Sequence, residues 1–130
     1  MAQPAAKQGD QVVGTDIHVV LVPSAGGPVP TPRSMPFTGR IVSGCSTDVL
    51  IQGKPAAVHG SVAVNQPPHV PAGGTFAHPP DNRGTLIAVD PMVLVNGKPL
   101  ARAGDKALTC NDPAPAPTAA VLAAGQVLLG

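Results

Sequence analysis

A twelve-residue phrase occurs twice in this chain. Val93-Leu94-Val95-Asn96-Gly97-Lys98-Pro99-Leu100-Ala101-Arg102-Ala103-Gly104 repeats Val49-Leu50-Ile51-Gln52-Gly53-Lys54-Pro55-Ala56-Ala57-Val58-His59-Gly60 at an offset of 44 residues, with 7 of the 12 positions identical. Each copy reads as an apolar strand, a two-residue turn at Gln52-Gly53 or Asn96-Gly97, and a short returning strand. Glycine at the second turn position supplies the positive φ that a type I′ hairpin requires. Proline in the returning strand confines it to an edge, or to a position whose N–H would face outward. One hairpin of this size cannot bury its own apolar face, so repeated copies must share a core. The expectation is an all-β fold of short repeated hairpins.

The rest of the sequence fits that frame. Pro and Gly number 17 and 15, and the aromatic residues are Phe37 and Phe76, so the core is thin and the connections are many. A charged share of 12% and a net charge of +1 do not match the disordered class, which combines low hydrophobicity with high charge. They also leave no basic cluster for nucleic acid. We expect strands at Gln11–Gly14, Ile17–Val22, Phe37–Val42 and Thr85–Val89, with a turn at Thr15-Asp16. Pro23 to Pro32 should be an extended, partly polyproline-like surface loop, and 61–84 a second long irregular stretch. The organisation read from this is a flexible lead-in at 1–8, an ordered domain at 9–113, and an Ala/Pro linker with a short apolar tail at 114–130, helical or an added strand. The N-terminal residues lack the apolar region of a secretory signal, and no apolar run is long enough to span a bilayer.

Three glycines give a register: Gly9-Asp10, Gly60-Ser61 and Gly104-Asp105. His18 and His69 each follow their glycine by nine residues, and Cys110 follows Gly104 by six. This spacing points to a pseudo-threefold arrangement in which the three side chains converge. Imidazole and thiolate are zinc ligands, and a closed four-ligand site staples a small loop-rich domain. The fourth ligand is His78, nine residues past His69, or His59 as the alternative; the later copy of the twelve-residue phrase has Ala103 where the earlier has His59. Cys45 reads as a small buried residue. The chain has no Glu, the usual general base of a hydrolytic zinc site, and no GxSxG, HExxH or phosphate-binding loop. An enzyme is not expected.

The hairpin phrases, Gly9-Asp10 at the front, Gly14-Thr15-Asp16-Ile17-His18, Pro67-Pro68-His69-Val70-Pro71 and the closing Cys110 resemble the PAAR-repeat proteins over residues 7–113. The resemblance implies a small metal-stapled β-cone whose base docks on a trimeric VgrG/gp5-like β-helical spike, one copy per trimer. Its vertex would be the puncturing tip of a type VI secretion system, phage tail or related contractile injection particle. The tip would carry one structural zinc on three His and one Cys, here His18, His69, His78 and Cys110. Effector cargo and transient contact with the target-cell membrane belong to the same picture, as does delivery outside the cell with the particle. The rival reading is a stand-alone metal-stapled adaptor that links effectors to a partner.

Overall fold

The computed structural model describes residues 3–129, and the described residues form strands and connecting segments without a helix. In chain order the strands are β1 (Gln3–Pro4), β2 (Gln11–Val22), β3 (Val29–Ser43), β4 (Leu50–Ile51), β5 (Lys54–Pro55), β6 (Val62–Asn65) and β7 (Thr75–Phe76). Then follow β8 (Arg83–Ile87), β9 (Leu94–Val95), β10 (Lys98–Pro99), β11 (Lys106–Thr109), β12 (Ala116–Leu122) and β13 (Leu128–Leu129). Six of them close an antiparallel barrel in the order β2-β3-β6-β8-β11-β12, with β12 pairing back onto β2. Closure leaves these strands no free edge where they pair. β7 adds to the far end of β2, at Val20 and Leu21.

The two recognised hairpins are β4–β5 and β9–β10. Their turns have positive φ at Gln52 (50°) and Gly53 (82°), and at Asn96 (52°) and Gly97 (81°), as a type I′ turn demands. A third hairpin is made from the two ends of the described chain. Leu128 pairs with Pro4 as Leu50 does with Pro55 and Leu94 with Pro99. The lead-in and the tail, expected to lie outside the domain, are therefore built into it. The physical reason is legible afterwards: Pro4-Ala5-Ala6 matches Pro55-Ala56-Ala57, and Ala5 and Ala6 are buried.

The three hairpins surround a pseudo-threefold axis. Ala6 N–H donates to Ala101 O (2.8 Å), Ala101 N–H to Ala57 O (2.9 Å), and Ala57 N–H to Ala6 O (3.0 Å). This ring of bonds leaves room at the axis only for methyl side chains, and all three alanines are fully buried. The bonds to the barrel repeat in the same way: Gly9 N–H to Ile41 O, Gly60 N–H to Leu86 O, and Gly104 N–H to Val121 O. Those glycines have φ of 96°, 91° and 91°, a left-handed conformation that favours glycine. Above them, Val12, Ala63 and Ala107 pair with Val121, Ile41 and Leu86 and fill the barrel.

One layer further from the hairpins, Phe37 occupies the barrel interior. A Cβ on Gly39 would stand 2.7 Å from its ring, and one on Gly84 3.2 Å, so these positions lack side chains where the ring needs the space. Of the Pro-rich segment expected as a surface loop, residues 23–28 do connect β2 to β3, whereas 29–32 belong to β3. Pro30, Pro32 and Pro36 face Leu21, Val19 and Thr15 across the ladder. Alternate prolines put the missing N–H groups on the outer side of β3, away from β2, and so blunt that edge. The stretch 61–84 likewise contains barrel strand β6 and the short β7, and the expected turn at Thr15-Asp16 lies inside uninterrupted β2.

Candidate metal centre

The strands that leave the three repeat ends carry the candidate ligands to the opposite end of the barrel. β2 places Asp16 and His18 two residues apart on one face, as strand alternation requires. β6 ends at Asn65, and the chain passes through Pro67-Pro68 to His69. β11 ends at Thr109, directly before Cys110. One ligand atom from each of Asp16, His18, His69 and Cys110 lies within 4.8 Å of all the others. Phe37 and Phe76 flank the group: the Phe37 ring is 6.5 Å from His69 and the Phe76 ring 5.8 Å from His18, centroid to centroid.

Each partner is held differently. Asp16 is fully buried; its Oδ1 accepts from the Thr109 hydroxyl and faces Asn111 Nδ2 and Thr118 Oγ1. Its Oδ2 stands 2.8 Å from His69 Nε2 and 3.5 Å from Cys110 Sγ. His69 is anchored by its backbone N–H, which donates to Asn82 Oδ1 (2.9 Å), and Asn65 Nδ2 reaches its Nδ1 (3.3 Å). Asn65 is itself fixed, since its Oδ1 accepts the Thr38 N–H. His18 is the exception. Both its ring nitrogens are buried, and neither has a hydrogen-bond partner among the described residues.

The electrostatics follow from this packing. Burial, aided by the neighbouring His69 ring, lowers the His18 pKa, while Asp112 and Asp16 act in the opposite sense. Burial, with the Asp16 carboxylate beside it, pushes the Cys110 thiol up to about 12. An imidazole with neither nitrogen bonded is costly to bury, and a thiol buried beside a carboxylate does not ionise unaided. A divalent cation answers both at once: it takes the imidazole lone pair and stabilises the thiolate. Two nitrogens, one sulfur and one carboxylate oxygen make a donor set that can bind a metal ion, and the cluster fits one.

His18, His69 and Cys110 are thus brought together. Cys110 is not the symmetry mate of the two histidines, since it follows its glycine by six residues and they follow theirs by nine. His78 stands outside the four-residue cluster. Its side chain is 76% exposed, and its Nδ1 is 3.7 Å from Asp112 Oδ1. It lines a cleft of about 500 Å³ that His18, Cys110 and Asp112 also line. His59 lies on the hairpin side of the barrel, exposed, with its Nδ1 accepting the Ala88 N–H (3.2 Å). Asp16 is the member that reading the sequence missed, because Thr15-Asp16 looked like a turn; its i, i+2 spacing from His18 was the available signal. Cys45 is a free thiol, partly buried against the barrel core. Comparison with protein-family models, curated proteins and solved structures finds no match to this chain.

Proposed function

We propose that this chain is a non-enzymatic, zinc-stapled spike tip of the PAAR type, which caps a trimeric VgrG/gp5-like β-helical spike in a contractile injection system. The observation that carries the reading is the pseudo-threefold hairpin layer opposite the metal cluster. Leu50, Leu94 and Leu128 hold the same register position in the three hairpins, facing Pro55, Pro99 and Pro4. They are 61%, 56% and 56% exposed. Three equivalent apolar side chains around one axis suit the blunt end of a trimer, and a single chain can satisfy all three subunits.

Zinc is the metal we assign. It is tetrahedral, takes nitrogen, sulfur and carboxylate ligands, and closed four-ligand sites of this kind are structural. His18, His69 and Cys110 are three of the ligands, and Asp16 is the fourth in this geometry. The metal ties β2, the segment after β6 and the segment after β11 to one point, which stiffens the end that would meet the target membrane. Two measurements test the proposal. Metal analysis of the purified chain should give one zinc per molecule. Light scattering on the complex with a trimeric β-helical spike should give one chain per three spike subunits. A 3:3 complex, or no complex with any such spike, overturns the tip assignment.

A further inference from the structure

We propose that Asp112 is the positioning residue of the metal centre: it holds the His18 imidazole by Nδ1, so that Nε2 is the nitrogen presented to the cation. The inference rests on the metal reading given above and names how one of its ligands is aimed. Asp112 lies outside the four-residue cluster, and its carboxylate faces the Nδ1 edge of the His18 ring. Its Oδ2 stands 3.8 Å from His18 Nδ1, and its side chain is 7% exposed.

The carboxylate is locked in that place. Oδ2 accepts the Val19 N–H (2.7 Å), and the Asp112 backbone N–H donates to Ile17 O (2.8 Å). Asn111 Oδ1 accepts the Ile17 N–H (2.7 Å). The segment after β11 is therefore stitched to β2 on both sides of His18. Its other oxygen, Oδ1, faces His78 Nδ1 across the cleft mouth.

A neutral imidazole has one N–H and one lone pair, and an ionised carboxylate only accepts. The nitrogen facing Asp112 is then the one that keeps the proton, and Nε2 has its lone pair free. Carboxylate–histidine–metal arrangements of this kind fix the tautomer and ring orientation and raise the ligand's basicity. At 3.8 Å the pair is an electrostatic contact, which favours the proton on Nδ1.

The test starts with the wild-type chain loaded with zinc and labelled with ¹⁵N at histidine. Long-range proton–nitrogen correlation should show His18 protonated at Nδ1 and shifted at Nε2 by the metal. A proton on Nε2 overturns the proposal. Asp112→Asn then removes the charge but keeps an oxygen for the Val19 N–H. Competition with a chromogenic chelator should show one zinc bound about 10–100-fold more weakly. The Co²⁺-substituted spectrum should keep its bands, and Asp112→Glu should recover part of the affinity. Unchanged affinity in Asp112→Asn overturns the proposal. So does a changed Co²⁺ spectrum or lost stoichiometry, which would make Asp112 a ligand. If Asp112→Asn unfolds, the tautomer measurement on the wild type decides alone. A wild-type chain that takes up no zinc fails earlier and differently, because it removes the metal reading itself.

Discussion

His18 and Cys110 carry opposite titration signatures, and together they define a pH window for the metal-free chain. The His18 pKa is lowered from 6.5, chiefly by burial. Below 6.5 the unfolded chain takes a proton that the folded chain refuses, so the contribution of His18 to stability is full above that value and lost as pH falls. The Cys110 thiol is raised from 9.0 to about 12. Above 9.0 the unfolded chain loses a proton that the folded chain keeps, so stability is lost as pH rises toward 12. Melting temperature in chelator should therefore peak between these limits and fall on both sides; a flat profile contradicts the burial argument. Zinc should suppress the alkaline loss, because the thiolate is then the bound form. Cys110→Ser should lose zinc and melting temperature together. A ligand present at a thousand times its Kd stabilises by about 4 kcal/mol, which sets the scale of the gap. In excess chelator the gap between wild type and Cys110→Ser should close. A gap that persists there would mean that Cys110 acts through packing alone.

At the level of the repeated element, one departure from symmetry explains another. In the first and third repeat ends an aspartate carboxylate accepts a backbone N–H three residues back, from Lys7 to Asp10 and from Arg102 to Asp105. The same cations pair with those aspartates, at 3.1 Å for Lys7 and 3.9 Å for Arg102. The second repeat has Val58 in place of the cation, and Ser61 in place of the aspartate. The Ser61 hydroxyl accepts the Val58 N–H (2.9 Å) and donates to Gly44 O (3.0 Å). Ser61→Asp should therefore destabilise, although aspartate is the residue at both equivalent positions. It places an unpaired charge at a fully buried site against a carbonyl, a cost of about 3 kcal/mol or more. Val58→Lys combined with Ser61→Asp should recover part of it, read as a coupling energy in a double-mutant cycle by denaturant unfolding. Strict additivity would show that the charged pair plays no part in the repeat end. The hairpins and their glycines were legible in the sequence because turn chemistry is local. Both halves of β2 were legible too, but not its continuity, because Asp16 looks like a turn residue until its partners are known. His69, Thr109, Asn111 and Thr118 reach it from 53 to 102 residues away. The third hairpin was hidden for a similar reason: its two strands lie at opposite ends of the sequence. Counting from the glycines nonetheless found His18, His69 and Cys110, since each strand leaves its repeat end in the same direction.

The whole molecule places two different surfaces at opposite ends of one short barrel, and this makes their roles separable. The strands run from the hairpin layer to the metal cluster, so a change at one end need not disturb the other. If the hairpin layer is the docking face for a trimeric spike, its three equivalent leucines should contribute comparably, each facing a different subunit. Replacing Leu50, Leu94 or Leu128 singly by Asp should weaken the complex by a similar factor at each position. An exposed leucine that becomes buried is worth about 1.5–3 kcal/mol, or roughly one to two orders of magnitude in Kd. The triple variant should not bind. All four variants should keep their zinc, because the ligands lie on the far side of the barrel core. Conversely, Cys110→Ser should lose zinc and still dock below its melting temperature. Binding measured by interferometry on an immobilised spike, together with metal content of the same samples, checks both halves. Docking that survives the triple substitution would move the interface off this face. Docking that depends on one leucine alone would show a partner that does not read the threefold arrangement.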